Sequence, residues 1–185
     1  SITGNVKFDQ ADHPVSDAEI EAMRNRLNIR ADRKILLAGS THKGEEIILS
    51  DAFSRIRKTY GDLLMIVAPR NPERAESISR IFKSAGFSAF TMSELKDASN
   101  EKTDVIVIDV IGLLRRLYAV ADIAFVGGSL IRLGGHNPLE PALFSKPILF
   151  GPHTSNFAEI SKMLLEAGGA FQVNNMETLY EAILT

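Results

Sequence analysis

The sequence predicts one α/β domain whose parallel sheet is covered by helices on both faces. Two observations carry that prediction. Strand-sized apolar runs without polar alternation recur along the chain, as at 35–38 and 105–108, and an unalternated run marks a strand buried on both faces. Between these runs lie segments whose apolar residues repeat near the helical period. Alternation of this kind yields parallel strands joined by crossover helices. A third observation, 185 residues with no composition break and no internal repeat, points to one core rather than two.

Each element has its own justification. Residues 1–14 show no helical period and are expected to form an interdomain linker, with 5–8 as its one patterned piece. Ser16 opens the first helix as its cap, and Asp17 and Glu19 put negative charge at the positive end of the helix dipole. Residues 34–39 form the first strand. The helix expected over 44–60 carries Ile47, Ile48, Phe53 and Ile56 near the helical period. A strand follows at 63–68. Asn71 and Pro72 start the next helix as cap and first-turn proline, and Gly86 closes it as a C-cap glycine. Strands are expected at 87–90 and 104–108, around a polar stretch at 93–103. Helix 113–121 leads to strand 123–126, which ends in Gly127 and Gly128. After a loop and a short helix come strand 147–150, helix 156–166, strand 170–173 and a helix from Met176. The result is a Rossmann-like sheet of about six strands, with 15–185 as one binding domain. Ser1, with no initiator Met, and Thr185, inside a helical pattern, read as cut ends.

Composition excludes several functions. Hydrophobic residues make up 45% and charged ones 24%, ordinary for a soluble globular fold. A formal charge of −2 speaks against a nucleic-acid partner and against a basic membrane patch. Cysteine is absent, so neither a disulfide framework nor a sulfur-based metal site is available. No apolar run approaches the roughly 20 residues of a membrane-spanning helix. His13, His42, His136 and His153 are too far apart for a ligand pair one helical turn apart, and neither metal nor cofactor is expected.

Ligands of such sheets bind beyond the carboxyl ends of the strands, so the chemistry is sought in the loops after Ala38, Ala68, Ile108, Val126 and Phe150. The loop from Gly39 to Gly44 has the outline of a phosphate loop but lacks the Lys-Ser/Thr pair. Glu45 and Glu46 stand there instead and would repel a polyphosphate. Ser40, Thr41, His42 and Lys43 are either a solvated turn or part of a cleft wall. Pro69 removes a backbone donor and fixes the direction in which Arg70 leaves the sheet. Arg70 either grips a base or phosphate or pairs with Glu73 or Glu76. The richest stretch runs from Val126 to Pro141. Its four glycines, including Gly128 beside Ser129, let backbone N–H groups approach a ligand closely. Asn137 and Pro138 then open a short helix through Leu139, whose N-terminus suits a phosphate, and Glu140 can accept hydrogen bonds from ribose hydroxyls. The alternative is a capping box between Asn137 and Glu140, against which Pro141 biases the backbone. His153 and Asn156 can face the same crevice. Arg115 and Arg116 are most simply a solvated helix face.

These residues, in this order, resemble the Kdo transferases. The resemblance rests on Gly4 to Asp9, Ala38 to Glu46, Pro69 and Arg70, Phe125 to Leu130, Gly134 to Pro141, and Gly151 to His153. It implies the C-terminal, donor-binding half of a GT-B glycosyltransferase. The activity implied is inverting, metal-independent transfer of Kdo (3-deoxy-D-manno-octulosonic acid) from CMP-Kdo to the lipid A precursor, on the cytoplasmic face of the bacterial inner membrane. It further implies that Pro69 and Arg70, Ile111, Gly112 and Leu113, and Asn137, Pro138, Leu139 and Glu140 contact the CMP moiety. Lys7 corresponds to a lysine that stabilises the transition state. Leu113 stands where the family often has an acid. The general base, the lipid-acceptor surface and the membrane contact belong to an N-terminal domain absent from this sequence. This half alone is expected to bind donor without transferring sugar.

Rival readings are a GT-B enzyme that uses a UDP-sugar, a non-catalytic α/β binding module, and a sugar-nucleotide epimerase. The last would need catalytic acids and histidines that find no place here.

Overall fold

The computed structural model describes residues 14–96 and 102–184. Lys7 and the Gly4 to Asp9 motif lie outside the described residues, as does His13. The described chain alternates helix and strand: α1 (Asp17–Arg26), β1 (Ile35–Thr41), α2 (Glu45–Thr59), β2 (Leu64–Pro69), α3 (Ala75–Ser84), β3 (Ala89–Thr91) and β4 (Val105–Val107). It continues with α4 (Leu114–Val120), β5 (Ile123–Val126), α5 (Leu139–Ala142), β6 (Ile148–Phe150), α6 (Ala158–Glu166), β7 (Ala170–Gln172) and α7 (Met176–Leu184). Seven parallel strands form one sheet in the order β3-β4-β2-β1-β5-β6-β7, one more than the expected six.

The local chemistry follows the sequence closely. Ser16 and Glu19 form a reciprocal capping box at α1, which satisfies two otherwise orphaned donors. Asn71 precedes a 3-10 turn at Pro72–Arg74, and its side chain makes no capping bond. The single helix expected from 71 to 86 is therefore a turn followed by α3. Phe87 lies before β3 and packs its ring against Phe53 at 4.9 Å between centroids. Glu94–Lys96 form a 3-10 turn.

Both faces of the sheet are covered. On one, Leu36, Ala38, Met65 and Val67 meet α2, α3 and α7 through Phe53, Phe82 and Leu179. On the other, Ile35, Leu37, Leu64 and Ile66 meet α1 and α4 through Met23, Leu27 and Leu117. Alternate residues of β1 and β2 thus serve different cores, which is why these strands read as continuous apolar runs. After β1 the chain builds the sheet on one side, and with β5 it returns to the other side of β1. The strand order reverses between β1 and β5, the place where such sheets form a ligand crevice. No helix of the described residues is long and apolar enough to cross a membrane.

Candidate functional site

The crevice at the β1/β5 switch point is assembled around a buried carboxylate. Gly44 caps α2 at φ 105°, which brings Glu45 under the loop that follows β5. Its side chain is fully buried. One oxygen accepts from the backbone N–H groups of His42 at 3.0 Å and Gly128 at 2.8 Å. The other accepts from Ser129 at 3.1 Å and Leu130 at 3.0 Å. Four N–H groups converging on a carboxylate satisfy a charge that would otherwise be costly to bury. The protein's own carboxylate therefore fills a nest of N–H groups made by His42 and the 128–130 loop. Glu46 is buried beside it and pairs with Arg74 at 3.0 Å.

Close backbone approach completes the joint. Gly127 N–H donates to Gly39 O at 2.8 Å, and a Cβ on Gly127 would lie 2.4 Å from the Ser40 carbonyl oxygen. Only glycine fits there. Ser40 itself is buried in the left-handed region at φ 54°, and Thr41 is fully buried. Residues 40 and 41 are thus part of the packed joint rather than a solvated turn.

Above the joint, two histidines meet. His42 Nε2 lies 2.8 Å from His136 Nε2, and the rings are nearly parallel, 4° apart. The His136 ring rests against Gly128. Arg70 leaves the end of β2 beside them, with its N–H bonded to the Thr41 carbonyl at 3.0 Å. Burial, then His42, then the Arg70 charge hold the His136 pKa below the usual imidazole value. Arg70 is exposed and makes no ion pair with Glu73 or Glu76, so that alternative does not occur. Arg74, four residues on, is instead tied to the α2 acid Glu46.

The turn after His136 lies at the same strand ends. Asn137 Oδ1 accepts the Leu139 N–H at 3.1 Å, whereas α5 is capped by Pro138 with no side-chain capping bond, so the Asn137 side chain does not make the bond to the Glu140 N–H that a capping box requires. Glu140 follows in the first turn of α5, and its charge raises the pKa of the fully buried Tyr118 phenol, although burial is the larger cause. Tyr118 packs over Gly39, where a Cβ would lie 2.3 Å from the phenolic oxygen. The loop after β4 contributes Ile111, 83% exposed, Gly112 at φ 84°, and Leu113, which is buried in the core.

Farther along, Ser129 links β5 to β6: its hydroxyl donates to the Val126 carbonyl at 2.5 Å and accepts the Gly151 N–H at 2.8 Å. His153 N–H donates to the Ser129 carbonyl at 2.9 Å. Asn156 fastens the glycine loop, donating to the Leu133 and Gly135 carbonyls at 3.1 and 3.3 Å. The side chains of Ser129 and Asn156 thus hold loops in place. Arg116 pairs with Glu19 at 3.2 Å and ties α4 to α1, rather than being merely solvated. Among the described residues no group of three or more His, Asp or Glu is set to hold a metal.

The structure brings together Arg70, His42, Gly128 and the His136 to Glu140 turn around the β1/β5 switch. Sequence reasoning missed the central role of Glu45. Its one visible signal was an acid at the start of a helix where a phosphate loop has Lys-Ser/Thr. It also treated His42 and His136 as separate, because their pairing crosses from one strand end to another.

The fold is that of the C-terminal, Rossmann-like half of the GT-B glycosyltransferases. No family model matches the chain. Within that class the chain is related to the 3-deoxy-D-manno-octulosonic acid transferases. It is 39% identical over its full length to the enzyme of that name from Haemophilus influenzae, of which it spans 43%. It is 36% identical over 80% of its length to the one from Aquifex aeolicus, of which it spans 40%. Among solved structures, the C-terminal CMP-Kdo binding domain of WaaA from Acinetobacter baumannii superposes with a TM-score of 0.78. The identity is 26%, and the match covers 91% of this chain and 89% of that one. WaaG, a glycosyltransferase involved in lipopolysaccharide biosynthesis, shares the fold at 14% identity and a TM-score of 0.57, over 92% of this chain and 43% of that one. The chain thus spans less than half the length of the two curated transferases.

Proposed function

We propose that this chain is the donor-binding domain of a Kdo transferase that moves Kdo from CMP-Kdo to the lipid A precursor, by inversion and without a metal. The observation that carries this reading is the meeting of Arg70, the His136 to Glu140 turn and the Gly127–Gly128 joint at one switch point, in a chain related throughout to enzymes of that name. Pro69 and Arg70 hold the nucleotide phosphate. Asn137, Pro138, Leu139 and Glu140 shape the ribose contact, with Glu140 as acceptor, and Ile111, Gly112 and Leu113 border the base. Leu113 is buried, so that contact runs through backbone groups. A carboxylate of the partner domain removes the proton from the attacking hydroxyl. This half stabilises the departing CMP electrostatically, and Lys7, in the 1–14 linker, adds a cation as charge develops. The acceptor lipid and the cytoplasmic membrane face are engaged through the N-terminal domain, and residues 15–185 form the donor domain.

Calorimetric titration of this chain with CMP, UDP and ADP tests the reading. CMP is expected to bind in preference to the other two. A preference for UDP would point to a UDP-sugar transferase, and no nucleotide binding at all would leave a non-catalytic α/β module.

A further inference from the structure

We propose that the His42–His136 pair, with Arg70 beside it, is the subsite for the carboxylate of the donor sugar, and that the pair takes up a proton as that carboxylate arrives. The inference deepens the donor reading above and rests on it. A CMP-linked sugar acid carries two separate anions, the phosphodiester and the carboxylate. One cation, Arg70, stands at the end of β2, and the N–H groups of His42 and residues 128–130 are already taken by Glu45. The second anion needs donors from elsewhere. At the switch point these are the two imidazoles, in the loops after β1 and β5.

The geometry of the pair fixes its proton chemistry. An Nε2 to Nε2 separation of 2.8 Å is a hydrogen bond, so one ring donates and the other accepts. The donor ring is then unprotonated at Nδ1 in the uncharged pair. A proton from solvent added at that Nδ1 gives an imidazolium while the Nε2–H···Nε2 bond persists. Both rings then carry an Nδ1–H, and the added positive charge balances the carboxylate. Thr41, next to His42, has a buried hydroxyl that makes no hydrogen bond among the described residues, a further polar group at the same strand end.

The charged groups around the pair set the pH window. Arg70 lies at the end of β2, the Glu45 carboxylate binds the His42 and Gly128 N–H groups from α2, and exposed Lys43 follows His42 in the loop. In the free protein, burial, His42 and Arg70 hold His136 below the ordinary imidazole value. A bound carboxylate raises the pair's affinity for a proton. Binding of CMP-Kdo is then strongest in acid, and it weakens by about tenfold per pH unit between the pKa of the free pair and the higher pKa of the bound pair.

Calorimetry at about pH 7, in two buffers of different ionisation enthalpy, reads the proton count on the unmutated chain. Freshly prepared CMP-Kdo should take up more protons per site than CMP, by a margin approaching one. His136→Asn should remove that excess and weaken CMP-Kdo more than it weakens CMP, by a further factor of about ten to a hundred, the range for a hydrogen bond to a charged group. Equal proton counts for the two ligands, with both bound, overturn the subsite and leave the donor reading standing. Failure of CMP itself to bind overturns the donor reading.

Discussion

At the scale of single residues, Glu45 and Glu140 show how similar carboxylates serve different ends. Glu45 is an internal ligand of the backbone. Glu45→Gln keeps the shape but brings an NH2 group among four N–H donors. Urea unfolding should show a loss of about 3 kcal/mol or more, because buried donors lose an ionised acceptor. An unchanged midpoint would mean that the loop is held by other contacts. Glu140 stands at the start of α5, beside the crevice. Glu140→Ala should weaken CMP binding by about 1–3 kcal/mol, read by titration, and unchanged affinity would reduce Glu140 to a helix-start residue.

At the scale of elements, two glycines differ by what surrounds them. Gly127→Ala forces a Cβ to 2.4 Å from a backbone oxygen across the β1/β5 joint. Gly86→Ala places a Cβ in open space and strains only a φ of 89°. Thermal unfolding should therefore show a small loss for Gly86→Ala, about 1 kcal/mol, and a larger one for Gly127→Ala. Equal losses would show that the joint yields. The same contrast explains what could be read from the sequence. Strands β1, β2, β4 and β5 were legible because burial on both faces leaves continuous apolar runs. The Ser16 cap was legible because both its partners lie within one turn. The split of the 71–86 helix depended on how the backbone leaves Pro72. The bonds of Glu45 reach residues 83 to 85 positions away, so no local pattern announces them. Arg70 and the 137–140 turn were singled out because strand-end loops are where this fold binds ligands, whereas the His42–His136 contact needed the strand order itself.

At the scale of the whole molecule, the chain covers less than half of its curated relatives, and the proposed catalysis is shared between two domains. Lys7→Ala in the two-domain enzyme should lower turnover by an order of magnitude or more with little change in donor affinity, since a contact made to developing charge acts on rate. In this chain alone the same change should leave CMP binding as it was. Equal turnover of mutant and parent would return Lys7 to an ordinary surface charge.

The strand order also governs how the chain acquires its structure on the ribosome. The left side of the sheet, β3-β4-β2-β1, is encoded before residue 108, but the other edge of β1 pairs only with β5, at Ile123–Val126. During synthesis the nascent chain therefore displays an apolar strand with unpaired backbone groups along one edge, a template for pairing with another chain. Closing that edge demands a long-range contact, and such contacts form slowly. Release of a polypeptide ending shortly before β5 should therefore give an aggregation-prone intermediate, and the Glu45 carboxylate lacks its partners at residues 128–130 until synthesis passes them.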